Sequence, residues 1–373
     1  METSLHTDRE FQRLPFDLYQ RYCIIRAAAS AVRARLGHPL SVLDVGGVSF
    51  TLDGVGKVLP IRLCLPQDRS ITLDSQECED VDTYVKGVGE CLPFHDNCFE
   101  IIVSCDTLEH VRPERRQAFI DELLRVSLDY VVLIVPCASH LTSLAERILD
   151  QYITHSLGVE HLQLREHLSL GLPAHEEILK ILTDRHLAFV DFESGYLYSW
   201  LTAMLARHYL HSLPNSSQMV SMFDEFYNVA FSAQDHRHPG YRHVYVVSKL
   251  GNEDVLREVG AKFPSDTNES QRDAYGTGAE VFQMAMALLN LRRTEGADQE
   301  LWKRIAQKEA HIAHLETLVV ERDRAIADLR RALNECAGNL AKARADLEKT
   351  ISWRIYAGVK RLRKGLWSEQ GGQ

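Results

Sequence analysis

The sequence predicts a doubly wound α/β domain with a mostly parallel, seven-stranded sheet, followed by a long C-terminal coiled-coil helix. Three observations lead there. Short runs of Val, Ile and Leu bounded by turn residues recur with helical stretches between them, the pattern of a parallel sheet covered on both faces. A composition of 45% hydrophobic and 25% charged residues over 373 positions supplies a full core. From Ile305 onward an apolar residue recurs at every seventh position.

The elements follow in order. An amphipathic helix is expected over 16–36, with Pro15 and Asp17 near its start and Gly37 just beyond its end. Strands are expected at 41–45, 70–74, 84–87, 99–104, 130–136, 187–192 and 243–249. Between them, 113–126 places Phe119, Leu123, Leu124 and Val126 on one side of a surface helix. A further helix is expected at 176–186, and a long helical insertion at about 196–233. This α/β region spans 1–250. A polar linker with a short helix (279–291) fills 251–300, a coil 301–350, and a basic amphipathic tail 351–373.

The coil rests on Ile305, Ile312, Val319, Ile326, Leu333, Leu340 and Leu347, with Lys308, Leu315, Arg322, Leu329, Cys336, Ala343 and Thr350 three places on. β-Branched residues at the first core position with Leu at part of the second favour a parallel homodimer. At about 1.5 Å per residue the coil is roughly 75 Å long.

Charge separates the regions. Forty-two basic against 52 acidic side chains give −10, which argues against a nucleic-acid partner. Arg354, Lys360, Arg361, Arg363 and Lys364 against Glu369 leave the tail at +4 and the rest at −14. With Ile351, Ile355, Val359, Leu362 and Leu366 on one helical face and Trp353 and Trp367 flanking, the tail suits the surface of an anionic membrane. The N-terminal residues do not read as a secretory signal, and no apolar run reaches the ~18 residues of a membrane span. The eight cysteines form no Cys-x-x-Cys pair and no zinc spacing with histidine. A reducing cytoplasmic setting, peripheral on the inner face of the plasma membrane, and no metal centre are therefore expected.

The chemistry concentrates at strand ends. The first strand closes in Asp44-Val45-Gly46-Gly47, at the position where strand order reverses and ligands bind in such sheets. An acid before two glycines differs from the Gly-x-Gly-x-x-Gly of dinucleotide sites and favours a ligand carrying a cationic amine. The second strand ends in Asp74, where a carboxylate binds a ribose diol. After the third comes Gly87-Val88-Gly89-Glu90-Cys91-Leu92-Pro93-Phe94, a loop suited to cover an adenine ring, and the fourth leads into Asp106-Thr107-Leu108-Glu109-His110-Val111.

In these motifs the chain resembles the class I S-adenosylmethionine-dependent methyltransferases, in the branch carrying Leu-Asp-Val-Gly-Gly, a Leu-Pro-Phe loop and Leu-Glu-His-Val. The resemblance is good over about 16–140 and looser to about 250. It implies a Rossmann-like fold and S-adenosyl-L-methionine as cofactor. It also implies that Asp44, Gly46 and Gly47 lie against the methionine part, Asp74 on the ribose, Val88, Gly89 and Glu90 at the adenine, and Asp106 with Leu108 beneath the sulfonium. The chain departs from the family at Val48-Ser49, where a third glycine is usual, and at Val88, where an acid is usual. Downstream, His161-Leu162-Gln163-Leu164-Arg165-Glu166-His167-Leu168 with Gly171-Leu172-Pro173 looks like a motif of bacterial methyltransferases of cell-surface polysaccharide assembly. Ser352-Trp353-Arg354 after the coil is similar to a segment of bacterial glycan-synthesis enzymes.

A sugar hydroxyl is too weak an acid to ionise at pH 7, so methyl transfer to it calls for a positioned base. His110, His161 and His167 are the candidates. The reading is thus O-methylation of a sugar or lipid-linked glycan. Its rivals are a small lipid or quinone-like acceptor, served by the apolar insertion, and a catalytically silent scaffold that positions a glycosyltransferase partner.

Overall fold

The computed structural model describes residues 8–50, 57–78, 82–263, 283, 285 and 299–368. The seven predicted strands form one sheet: β1 Ser41–Val45, β2 Arg69–Asp74, β3 Tyr84–Lys86, β4 Phe99–Cys105, β5 Ser127–Pro136, β6 Ala188–Tyr196 and β7 Gly240–Ser248. Their order is β3-β2-β1-β4-β5-β7-β6. All run parallel except β7, which is antiparallel to both its neighbours, pairing Leu133 with Tyr245 and Phe192 with Val244.

Alternation along the strands sorts the core. Val42, Ile101, Val103, Val132, Ile134, Val244 and Val246 face one side, packing with helix α1 (Phe16–Leu36). Leu43, Val45, Ile102, Val131, Leu133 and Val247 face the other, packing with Phe119 and Leu123 of the Pro113–Val126 helix. Burying each such side chain contributes about 1.5–3 kcal/mol. Chain order numbers the helices α2 Pro60–Cys64, α3 Pro113–Val126, α4 His140–Gln151, α5 Leu162–Leu170, α6 His175–Asp184, α7 Leu197–Ser212 and α8 Ser217–Ala230. The predicted 196–233 insertion is the α7–α8 hairpin. With α4 and α5 it builds a third apolar cluster around Trp200, Phe223 and Tyr227, into which Phe16 inserts.

Two expectations are corrected. The stretch read as linker from 251 opens with α9 (Glu253–Lys262), which buries Val255, Leu256 and Val259 on the α1 side and stacks Phe263 on Phe192 at 5.1 Å. Its polar composition reflects one exposed helix face. Helix α1, read as amphipathic, buries residues on nearly every side, from Phe16 and Leu18 to Ala31 and Val32. Sheet, α9 and the helical hairpin surround it, so no polar face is needed. Of the cysteines, Cys64, Cys105 and Cys137 are buried whereas Cys91, Cys98 and Cys336 are exposed, and all eight are unpaired. The expected short helix at 279–291 lies almost wholly outside the described residues.

The C-terminal unit is a single helix, α10 (Gln299–Ser368), continuous through the predicted coil and most of the tail. Leu329, Leu333, Leu340 and Leu347 are 62–73% exposed on it. Among the described residues no helix is long and apolar enough to cross a membrane.

Candidate active site

Register brings three acids to one edge. β1, β2 and β4 are neighbours, and Asp44, Asp74 and Asp106 stand at or just past their carboxyl ends, where the strand order reverses between β1 and β4.

Asp44 is fully buried. The Tyr22 hydroxyl, reaching from α1, donates to its Oδ2 at 2.7 Å, and Oδ1 has no partner. Burial pushes the carboxyl up to about 7, against the Tyr22 hydrogen bond and the Arg21 charge that pull it down; Asp74 adds to the rise. The chain then turns at Gly46, with φ +79°. A Cβ on Gly46 would run into the Thr107 side chain, and one on Gly47 into the Asp44 carboxylate itself. Acid and glycines thus make a cradle of bare backbone around one buried carboxylate oxygen that has no partner among the described residues. A cationic amine is the group that satisfies it, so these residues fit the methionine end of S-adenosylmethionine.

Asp74, nearly buried, accepts from the Val48 amide (3.1 Å) through Oδ2 and from the Gln76 amide (2.9 Å) through Oδ1. Each oxygen keeps a lone pair for a ribose hydroxyl. Val48, standing where a third glycine was expected, uses its amide to aim this acid. In the following loop, Val88 bridges to Cys91 and is 51% exposed, and Glu90 is half-buried. Gly89 lies against the Phe119 ring with no room for a Cβ. Glu122 accepts from the Leu92 amide (2.7 Å), and Arg125 donates to the carbonyls of Leu92 (3.0 Å) and Phe94 (2.8 Å), which pins the loop to α3.

Asp106 adopts a left-handed backbone with φ +47°, an uncommon state for a residue other than glycine. Arg242, 1% exposed on β7, holds it there through Nε (2.8 Å) and Nη2 (2.6 Å), with Arg21 at 3.1 Å. Arg242 also reaches Asp17 (2.6 Å), which the Trp200 indole joins at 2.8 Å. Burial would raise Asp17, yet Arg242 and Arg21 hold it well below the usual carboxylate range. The Asp106 carboxylate therefore faces arginines, and Leu108 lies in the core.

The candidate histidines divide. His161 caps α5, its Nδ1 accepting from the Leu164 amide at 3.2 Å. His110 and His167 meet with Nε2 atoms 3.3 Å apart. Each turns its Nδ1 to a carboxylate: His110 to Glu166 at 2.7 Å, His167 to Glu146 at 2.8 Å. Glu146 also accepts from the Tyr241 hydroxyl at 2.8 Å. Beside them Glu109 is fully buried with neither oxygen partnered, and burial pushes it well above the carboxylate range. Burial and the neighbouring His167 lower His110.

The sequence signals no role for Tyr22, Arg21, Arg242 and Glu146, and gives Asp17 only as a helix start and Glu109 only as part of the 106–111 motif. Only the Asp17–Arg21 spacing of four carries a local signal, an ion pair along one helix.

Residues 62–130 match the sequence model of a methyltransferase domain. Among solved structures the chain is similar to the YcgJ protein from Bacillus subtilis, at 15% identity over 59% of this chain and 97% of that one, with TM-score 0.31. It is similar to a methyltransferase from Thermotoga maritima described as a possible histamine N-methyltransferase, at 14% identity over 62% and 90%, with TM-score 0.34. It is also similar to the 1,6-didemethyltoxoflavin-N1-methyltransferase of Burkholderia thailandensis, solved with S-adenosylhomocysteine, at 13% identity over 60% and 77%, with TM-score 0.32. TM-scores below 0.5 constrain neither acceptor nor mechanism. No curated protein matches the chain. The segment that is similar to the methyltransferase domain model carries Asp74, the 87–94 loop and the turn from Asp106 to His110.

Proposed function

We propose that this protein is an S-adenosylmethionine-dependent methyltransferase that O-methylates a hydroxyl of a sugar or lipid-linked glycan in cell-surface polysaccharide synthesis. The observation that carries the reading is the His110–His167 pair beside the cofactor edge, each ring backed by a glutamate. Such backing raises imidazole basicity and fixes the tautomer with Nε2 bare, as a weakly acidic acceptor requires. Bound S-adenosylmethionine supplies a methyl group on a sulfonium. The protein's share is to anchor the donor through Asp44 and Asp74, align the acceptor, exclude water and take the acceptor's proton on Nε2 of His110, the less buried ring. The Arg242–Asp106 pair keeps the β4 turn, and with it His110, in place.

A lipid-linked acceptor is favoured over a free sugar by α4. That helix places Glu146 inward on His167 while Leu141, Leu144 and Ile148, at spacings of three and four, stand 38–41% exposed. A small lipid is the second reading on the same grounds. In both, homodimerisation through the α10 seam brings two +4 tails to one membrane face. Avidity then holds a cytoplasmic enzyme at that surface beside a glycosyltransferase partner.

The test supplies radiolabelled S-adenosylmethionine to a cell extract and separates organic-soluble from polysaccharide fractions. Label in a glycan released from lipid by mild acid supports the reading. Label confined to a small organic-soluble compound selects the second reading, and cofactor binding without label in any fraction sinks both.

A further inference from the structure

We propose that Glu109, His110 and His167 form a binding site for one first-row divalent cation of the zinc type. One ligand atom from each lies within 4.8 Å of the other two. Both Nδ1 atoms lie on carboxylates, at 2.7 and 2.8 Å, so each ring donates there and turns a bare Nε2 toward the other. Two lone pairs 3.3 Å apart repel unless something positive sits between them. Two nitrogens bound at zinc's usual ~2.0–2.1 Å in tetrahedral geometry stand about 3.3 Å apart.

Glu109 supplies the independent observation. It is fully buried, neither oxygen has a hydrogen-bond partner, and Oε1 lies 3.9 Å from His167 Nε2. A buried carboxylate without a partner is costly, and a cation held by the imidazoles removes that cost. The donor set of two imidazoles and one carboxylate is that of zinc sites with an open fourth position, and is softer than magnesium or calcium prefers. Glu166 and Glu146 stand as the carboxylates that orient metal-bound histidines from behind. The expectation of no metal rested on local spacing, and this trio is assembled from positions 57 apart.

Occupancy of the site is independent of the reaction. Only its consequence rests on the methyl-transfer reading: a cation here offers its open position to the acceptor oxygen and polarises it, in place of a bare Nε2. The site and the reaction are therefore tested separately.

Full-length protein is stripped with chelator and titrated with Zn²⁺, with Mg²⁺ as control, by competition against a metal-binding dye and by melting temperature. The expected result is one equivalent of Zn²⁺ per chain, a raised melting temperature, and no effect of Mg²⁺. Glu109→Gln, neutral and of the same shape as the protonated acid, should leave the stripped protein folded with little change in melting temperature, yet lose the Zn²⁺-dependent increment. His110→Gln, at the less buried ring, should weaken binding at least a hundredfold, and Glu146→Gln by about ten- to a hundredfold. Co²⁺ should give the intense visible absorption of a four-coordinate site, absent in Glu109→Gln. Failure of the stripped protein to bind Zn²⁺, meaning that a shared proton joins the rings, overturns the proposal. So does undiminished binding in both Glu109→Gln and His110→Gln, which would put the ion elsewhere. Zn²⁺ binding without methyl transfer to any glycan would instead leave the site standing and remove the proposed acceptor.

Discussion

The Tyr22 hydroxyl donates to Oδ2 of Asp44 at 2.7 Å, with both groups buried and the other carboxylate oxygen unpartnered. One oxygen is therefore fixed by the opening helix and the other kept for a ligand. The aim of the site's first acid is set from 22 positions earlier in the chain.

Tyr22→Phe tests that arrangement. It removes the one hydrogen bond that this buried carboxyl accepts among the described residues, for a loss of about 1.5–3 kcal/mol in urea unfolding. Because the bond pulls Asp44 down, its removal raises that carboxyl further. Affinity for S-adenosylmethionine at pH 7 should fall several-fold by calorimetry. Unchanged stability and affinity would remove Tyr22 from the site.

The second prediction concerns pH. Burial raises Asp44 from 3.8 to about 7, and burial raises Asp235 equally. A carboxyl raised on folding favours the folded state while protonated. Stability from these two groups is thus full below about 4 and falls as pH rises, until it levels off above about 7. Cofactor binding runs the other way, since a cationic amine favours ionised Asp44. Affinity should rise roughly tenfold from pH 6 to pH 8, with proton release seen as a buffer-dependent binding enthalpy. Asp44→Asn should flatten the affinity profile and remove Asp44's share of the stability profile, leaving that of Asp235. A pH-independent wild-type affinity would contradict the assignment.

Arg242 neutralises Asp17 and Asp106 together. Arg242→Leu removes a buried cation and leaves two half-buried carboxylates short of charge, and should cost about 3 kcal/mol. Adding Asp106→Asn should restore part of that loss, and a double-mutant cycle in denaturant measures the coupling. Additive losses would mean that the pair is not coupled.

Helix α10 makes the third region testable. Leu333→Asp with Leu340→Asp breaks two successive first-position layers of the exposed seam and should convert a dimer to a monomer by sedimentation, with reduced helical circular dichroism. Methyl transfer to a water-soluble acceptor should persist, and membrane association should drop. A monomeric wild type would end the coil reading.

What the sequence disclosed and what it withheld differ in range. Asp44, Gly46, Gly47 and Asp74 were legible because strand ends fix them locally, and alternating Val, Ile and Leu runs predicted all seven strands. The Arg242–Asp106 pair spans 136 positions, and His167 finds Glu146 across a helix pair. No periodicity records such contacts. The α9 helix was hidden for another reason: three buried side chains in ten residues leave a composition that reads as linker.

The most direct measurement is calorimetric titration of wild type and Asp74→Ala with S-adenosylmethionine. The wild type should bind one equivalent per chain, and Asp74→Ala, still folded by circular dichroism, should bind at least a hundredfold more weakly through loss of the ribose contacts. Absence of saturable wild-type binding at millimolar cofactor, or equal affinity in the two proteins, would contradict the site described.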